Sequence, residues 1–421
     1  MKAVLTLAVK SAWARRLTLG VTLCAIALSS ALLLSVEHIR HDARQSFAQS
    51  VSGVDLVVGA RSGSVQLMLY AVFHSGNATH NIRWESYRNI ADNPAVAWAV
   101  PLSLGDSHRG FPVLGTTPDY FTHLHYGDGQ ALVFAAGQPF SEVFEVVLGS
   151  AVANELAYRI GDTITLNHGL GEAAALAEHG DKPFRIIGVL KPTGTPADRT
   201  LHVSLEAISA LHLDWSGGAP LAGLSIPAEH VRKFDLQAKE ITALMLGLKQ
   251  RTDVFRLQRQ INTYRGEALL AVMPGVALDE LWQTLGMVED ALLAISALVV
   301  AVGLAGLMAT LLASLNERRR ELSILRALGA SPLDLFLMLT AEGLLLTALG
   351  ELLGCALLAA AALFFAPFLQ AQFGIVLQWR ALTANEWFLL AAILATGLLA
   401  SLVPAWRAWR MSLADGLTPR N

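Results

Sequence analysis

Apolar residues without charge fill positions 17–36. Then 250 mostly polar residues, 37–286, intervene before three further apolar stretches at about 291–315, 335–365 and 387–405. Twenty helical residues rise about 30 Å, the depth of a bilayer's hydrocarbon core. Hydrocarbon cannot satisfy backbone N–H and C=O groups, so each stretch must close its own hydrogen bonds as a helix. The pattern predicts a polytopic α-helical membrane protein with four transmembrane helices and one large domain inserted between helices 1 and 2. The expected divisions are 1–36, 37–286 and 287–421.

Local patterns fill in the parts. Positions 1–16 alternate apolar and basic residues, which suits a short interfacial helix. Residues 37–51 (EHIRHDARQSFAQSV) hold no helix breaker before Gly53, so the first span is expected to continue as a helical stalk. Residues 276–290 (VALDELWQTLGMVED) lead into the second span in the same way. Apolar or β-branched runs bounded by Gly, Pro or Asp read as strands at 55–58, 145–148, 163–166, 184–190 and 201–203. Helices are expected at 84–91, 151–159 and 204–211. A longer one is expected at 241–264, where Leu244, Leu248, Val254, Leu257 and Ile261 recur near helical spacing. The inserted domain thus reads as α+β. Its segment 59–76 is unusually apolar, and two readings stand: core, or contact with a lipophilic substrate or partner.

Charge fixes an orientation. Charged residues are 15% of the chain, against about 25% in soluble domains, which excludes an ordinary soluble enzyme of this length. Region 37–286 holds 19 Lys/Arg and 25 Asp/Glu, a net −6, as befits a water-facing domain. The other 12 basic residues cluster. Lys2, Lys10, Arg15 and Arg16 precede the first span, and Arg318, Arg319, Arg320 and Arg326 lie between the second and third. Arg407, Arg410 and Arg420 follow the fourth, and Arg380 alone sits between the third and fourth. The bias of Lys/Arg toward cytoplasmic loops then places both termini and the 316–334 loop in the cytoplasm and the large domain outside. The alternative of a cleaved signal peptide fits poorly, because the first apolar run exceeds the usual length and no small-residue cleavage pattern follows. Cys24 and Cys355 both fall within spans, so the outer domain rests on its own core without a disulfide.

Candidate chemistry is sparse. Segment 316–331 (NERRRELSILRALGAS) forms an amphipathic helix with Leu322, Ile324, Leu325 and Leu328 on one arc and Arg319, Arg320 and Arg326 on the other. Gly329 is a plausible C-cap, and Pro332 resists continuation. It reads either as a basic loop held by anionic lipid or as a docking helix. Glu342 and Glu351 lie nine residues apart in the third span, on nearly opposite faces. Each is a functional candidate, since an ionised group in hydrocarbon costs at least ~2.5–3.5 kcal/mol. Glu342 suits a structural bond toward the 316–331 segment. Glu351 suits pairing at a subunit interface, with proton or substrate handling as the other reading. All 12 histidines fall in 37–286. His38 and His41, and His123 and His125, are spaced as weak candidates for zinc, but no cysteine or HExxH accompanies them. No nucleophile elbow or other catalytic signature appears, so the chain is not read as an enzyme.

Several of these segments resemble one family. Residues 317–331 (ERRRELSILRALGAS) look like the coupling helix of MacB/FtsX-type (type VII) ABC transporter permeases, which include the lipoprotein-sorting permeases. Residues 146–166 (VVLGSAVANELAYRIGDTITL) and 184–208 (FRIIGVLKPTGTPADRTLHVSLEAI) resemble that family's extracytoplasmic core. Residues 401–417 (SLVPAWRAWRMSLADGL) resemble its C-terminal end.

The resemblance implies that Glu317, Arg318, Arg319, Arg320, Glu321, Leu322, Leu325, Arg326, Leu328 and Gly329 engage a cytoplasmic ABC ATPase dimer. It also implies a second permease subunit, identical or related, a bacterial inner-membrane location, and a possible periplasmic protein or lipoprotein partner. No nucleic-acid partner is expected. The sequence holds no G-x-x-x-x-G-K-[ST] phosphate loop. The expectation is therefore that no cofactor binds directly and that ATP and Mg act through the separate ATPase. Motion would pass through the stalks to the outer domain and drive export or extraction of a lipophilic or peptide-like cargo. A non-transporting regulator of a cell-wall hydrolase and a metal-handling membrane receptor are the alternatives.

Overall fold

The computed structural model describes residues 15–410, apart from 77, 128, 170–178, 217–218, 222–225, 328 and 374–380. The interfacial helix expected at 1–16 therefore falls largely outside the described residues, as does the middle of the 370–386 loop, whose two ends are the last and first turns of helices. The chain forms two compact units, one of Met1–Asp42, Gly286–Phe368 and Leu377–Asn421 and the other of Ala43–Leu285 and Leu369–Val376.

The first unit is built on four helices long and apolar enough to cross a membrane. They are Arg16–Gln49, Pro274–Glu317, Pro332–Phe373 and Ala384–Arg410, of which the first two run well into the second unit and the third reaches it with its last turn. Small residues bring the helices close. A Cβ on Gly354 would lie 2.9 Å from the Ala27 carbonyl oxygen, and one on Gly350 2.5 Å from Ile26. Gly397 is pressed by Thr347, and Gly343 by Ser401. Without a hydrophobic drive between helices in lipid, such close backbone approach is what holds them. Hydroxyls add to it: Thr22 and Thr310 are 2.9 Å apart, and the Ser29 hydroxyl donates to the Val299 carbonyl at 3.2 Å.

The second unit is organised by an eleven-stranded mixed sheet. Its strands are β1 (Leu56–Ala60), β2 (Val96–His108), β3 (Phe111–Thr116), β4 (Phe134–Gly137), β5 (Glu145–Leu148) and β6 (Thr163–Ile164). They continue with β7 (Asn167–His168), β8 (Phe184–Leu190), β9 (Leu201–Ser204), β10 (Ala243–Leu248) and β11 (Leu269–Val272). The spatial order is β11-β1-β10-β2-β3-β9-β5-β8-β4, with β7 added to β2 and β6 to β8. β2 is the hinge of this arrangement. Its first half pairs with β10 and its second half with β3 and β7. A register shift between Leu104 and Asp106, at Gly105 with φ 150°, re-aims the side chains that follow.

On one part of the sheet Leu56, Val58, Leu244 and Leu246 pack against Leu257 and Ile261 of the helix Val254–Asn262. On the other part Val113, Val146, Leu148, Phe184 and Val203 pack against Val152, Ala207 and Leu211 of two short helices. The apolar segment 59–76 supplies the end of β1 and the helix Ser64–Ala71, whose Leu67, Met68, Tyr70 and Ala71 are buried in the core.

The helix expected over 241–264 is not one element. Residues 243–248 form β10, a short 3-10 turn spans Arg251–Asp253, and only Val254–Asn262 is helical. β10 is buried on both faces: Leu244 and Leu246 enter one core, and Ala243 and Met245 the other. Leu244 and Leu248 are four apart, a spacing that both the helical and the strand period satisfy.

Candidate functional site

At residues 317–334 the sequence writes its own stops. The second long helix ends at Glu317, and the short helix Arg319–Ala327 follows. It closes with the Gly329 N–H donating to the Arg326 carbonyl at 3.0 Å and the Ala330 N–H to Leu325 at 3.0 Å. Gly329 has φ 103°, the left-handed conformation that this closure needs and that a Cβ would strain. The third long helix then starts on a reciprocal cap. The Ser331 hydroxyl accepts from the Asp334 N–H at 3.2 Å, and the Asp334 carboxylate accepts from the Ser331 N–H at 2.8 Å, with Pro332 at the first helical position.

The short helix is anchored on one side. Leu322 is buried and Leu325 half-buried among Leu315, Leu335, Leu339, Ala405 and Ala408. Ile324, expected on the same arc, instead points away and is 51% exposed. The inward side is narrower than a hydrophobic arc drawn from sequence, because Ser323 and Arg318 also face inward. Glu321, Ile324 and Ala327 are exposed at intervals of three, which makes one outward stripe on the short helix, and Glu317, ending the helix before it, is exposed as well. Arg319 and Arg320 occupy the first turn, Arg326 is half-buried, and Leu328 lies outside the described residues.

A charge network sits under this helix. Glu342 accepts from Arg318 at 3.0 Å and from Arg15 at 3.3 Å, and Arg318 also reaches Glu321 at 3.3 Å. Arg318 is therefore a 6% exposed internal tie and not a surface contact. One carboxylate joins the start of the first helix, the end of the second and the third. A second polar cluster lies at the other end of the bundle. His38 Nδ1 is 2.9 Å from Glu386 and its Nε2 is 3.5 Å from Asp42. Glu386 also accepts from the Thr383 hydroxyl at 3.0 Å, and Arg40 pairs with Glu37 at 2.9 Å. Arg15 and His38 are 23 residues apart, about 35 Å along a helix, close to one hydrocarbon thickness. Between the two clusters Glu351 stands alone. It is 9% exposed, covered by the chain's own helices, and its Oε1 has no hydrogen-bond partner among the described residues.

The histidine pairs do not converge. His41 is exposed while His38 is bound to carboxylates, His123 stacks on Trp98 at 4.9 Å, and His125 bonds the His123 carbonyl. The structure gathers other residues, Asp106, His168, His179 and His212, from four separate places. No local spacing marks them. Only the pairing of β7 with β2, invisible in a sequence window, brings His168 opposite Asp106.

Comparison with known proteins places these features in a wider group. Residues 18–264 match the MacB-like periplasmic core domain, and residues 293–413 match the FtsX-like permease C-terminal domain. A macrolide export ATP-binding/permease protein MacB from Azoarcus sp. (strain BH72) is 27% identical over 346 residues, covering 78% of this chain and 46% of that protein. Its counterpart from Bdellovibrio bacteriovorus is 24% identical over 370 residues, covering 82% of this chain and 51% of that protein. The chain thus spans about half the length of the curated relatives it matches. The periplasmic region of MacB from Actinobacillus actinomycetemcomitans aligns with a TM-score of 0.32 at 14% identity, covering 57% of this chain and 98% of that one.

Proposed function

The chain belongs to the MacB/FtsX-type family of ABC transporter permeases, and from that premise we propose that it is the membrane subunit of an ABC system driven by a separate cytoplasmic ATPase. The observation that carries this reading is the short helix Arg319–Ala327. It is fixed to the bundle by Leu322, Leu325 and the adjoining Arg318–Glu342 pair, and it turns a stripe of Glu321, Ile324 and Ala327 outward. A helix held so firmly on one side is a lever: a push on the outward face is passed to the helices it is tied to. ATP-driven closure of two ATPase subunits would supply that push. The two helices Arg16–Gln49 and Pro274–Glu317, which run without interruption into the second unit, would carry it to the periplasmic domain.

ATP can only bias states that already lie within a few kcal/mol of one another, so the domain must have two arrangements of similar stability. The cargo is a lipophilic or peptide-like molecule moved outward or extracted from the membrane, in keeping with relatives named for macrolide export. The inner membrane of a bacterium, with both termini cytoplasmic, is the setting this requires.

The test is Ile324→Asp in the full chain, measured by the ATPase activity that co-purifies with it. Loss of most of that activity, with Leu322 and Leu325 untouched and the chain still folded, is the expected result. Undiminished co-purifying ATPase would overturn the docking role.

A further inference from the structure

We propose that Asp106, His168, His179 and His212 form a zinc-binding site in the periplasmic domain. This reading is independent of how the ATPase is engaged. The four ligand atoms lie within 4.8 Å of one another. His168 Nδ1 is 3.1 Å from Asp106 Oδ1, His212 Nε2 is 3.0 Å from His168 Nδ1, and His212 Nε2 is 3.6 Å from Asp106 Oδ1. Ligand atoms held tetrahedrally at zinc's usual bond lengths are about 3.3–3.4 Å apart, and the three distances bracket that value.

Each ligand is delivered by a different part of the fold. Asp106 follows the register shift in β2, and His168 is its cross-strand partner on β7. His179 is placed by its N–H donating to the Leu166 carbonyl at 2.8 Å. His212 ends the helix Leu205–Leu211, and its Nδ1 lies 2.8 Å from the Ile208 carbonyl. Only a protonated Nδ1 can donate to a carbonyl, which leaves the Nε2 lone pair for a metal, an outer hydrogen bond of the kind that orients metal-ligating histidines.

A simple hydrogen-bonded carboxylate is the competing account. Asp106 accepting from two imidazoles explains His168 and His212. It does not explain His179, which is 1% exposed and has no hydrogen-bond partner at either ring nitrogen among the described residues. Burying an unpaired ring nitrogen is unfavourable, and a cation at the centre of the four groups would take the lone pair of one of the two. The nearest competing cation, Lys182, is fully buried but is held by Asp214 at 2.7 Å and Asp181 at 3.2 Å. Trp215 lies against His179 and His168, with ring centroids 4.4 and 5.3 Å away, and walls the cluster.

Three imidazoles and one carboxylate suit borderline divalent ions and not calcium or magnesium, which take oxygen ligands. Four protein ligands leave no open position, as in closed structural zinc sites. Bound zinc would therefore tie β2, β7, the His179 segment and the end of the helix Leu205–Leu211 into one piece.

The experiment uses the full chain in detergent, without a histidine tag, after dialysis against a chelator. Titration with zinc should give one ion per chain, and cobalt(II) should show the intense visible bands of tetrahedral nitrogen–oxygen ligation. His179→Ala and His168→Gln should each weaken zinc binding by at least about 100-fold, beyond what loss of an outer-shell partner costs. His41→Ala should leave it unchanged. His168 is partly exposed, so His168→Gln decides the matter if His179→Ala fails to fold. Binding of less than one zinc per chain, octahedral cobalt spectra, or wild-type affinity in His168→Gln would overturn the site.

Discussion

His74 and His202 are buried in the periplasmic domain, and the cost of desolvating an imidazolium holds them near 4 and 3. In the unfolded chain each would take up a proton near pH 6.5. Between that pH and about 4 the unfolded state therefore binds protons that the folded state refuses, so stability falls as pH falls. The loss approaches about 1.4 kcal/mol per pH unit for each histidine. His202 is set among aromatic rings, with Tyr120 at 5.2 Å and Phe121 at 5.6 Å, so His202→Phe should fit. Thermal unfolding of the full chain from pH 7.5 to 5 should show a shallower decline for the variant; parallel curves would refute the assignment.

Glu351 invites a different residue-scale test, because its buried Oε1 is unsatisfied. Glu351→Leu should raise thermal stability by about 1–3 kcal/mol, the penalty of such a group. If the carboxyl has a task in coupling, the same variant should lower ATPase turnover of the assembled system. A variant less stable than the wild type would mean that the carboxyl is paired in a way the single chain does not reveal. Much at this scale was not legible beforehand. The sequence marked Glu342 and Glu351 as polar in an apolar run, but only packing separates the doubly paired one from the solitary one. Arg318 read like any other residue of an arginine run, because periodicity assumes arginine faces water. The Asp106 cluster draws on positions 106, 168, 179 and 212, which no window contains together.

Among elements, signals written in short-range chemistry were the legible ones. The apolar lengths located all four long helices, and the helix at Trp84–Ala91 and the strands Glu145–Leu148 and Phe184–Leu190 fall at their expected positions. The Gly329 cap acts through contacts within five residues, so its letter carries its geometry. β10 failed for a matching reason. A strand buried on both faces has no polar side to betray its period, and its leucines four apart serve either structure. Helix contacts depend on small residues whose partners are distant in sequence, and Gly350 and Gly354 gave no sign of facing Ile26–Ser30. Gly354→Leu tests that crossing, since even its Cβ would meet the Ala27 carbonyl oxygen and the Ser30 side chain at 2.9 Å. Separation of the first and third helices should cost about 1–3 kcal/mol, the usual penalty of overpacking. The expected readout is a lowered unfolding temperature in detergent, while Gly306→Leu, with nothing within 4 Å of its Cβ, should be tolerated.

At the scale of the whole molecule, the third long helix is the least covered by its own chain. Only 11% of its most apolar stretch is buried, against 39% for the first helix and 33% for the fourth. Leu345, Leu349 and Leu352 recur at four and three residues on one face and are 60%, 43% and 66% exposed. Lipid alone could cover such a stripe. On the proposed reading, two ATPase subunits require two membrane subunits in register, and this stripe, on the least covered of the four helices, is the surface assigned to meeting the second. The prediction follows from geometry. In a chain with Cys24 and Cys355 replaced by alanine, Leu352→Cys should form a disulfide-linked dimer on mild oxidation in native membranes, because two copies packed along this face bring position 352 near its counterpart. Leu298→Cys, 65% exposed but on the second helix, should not. Cross-linking at 298 and none at 352 would move the subunit contact to the second helix and leave the third to lipid.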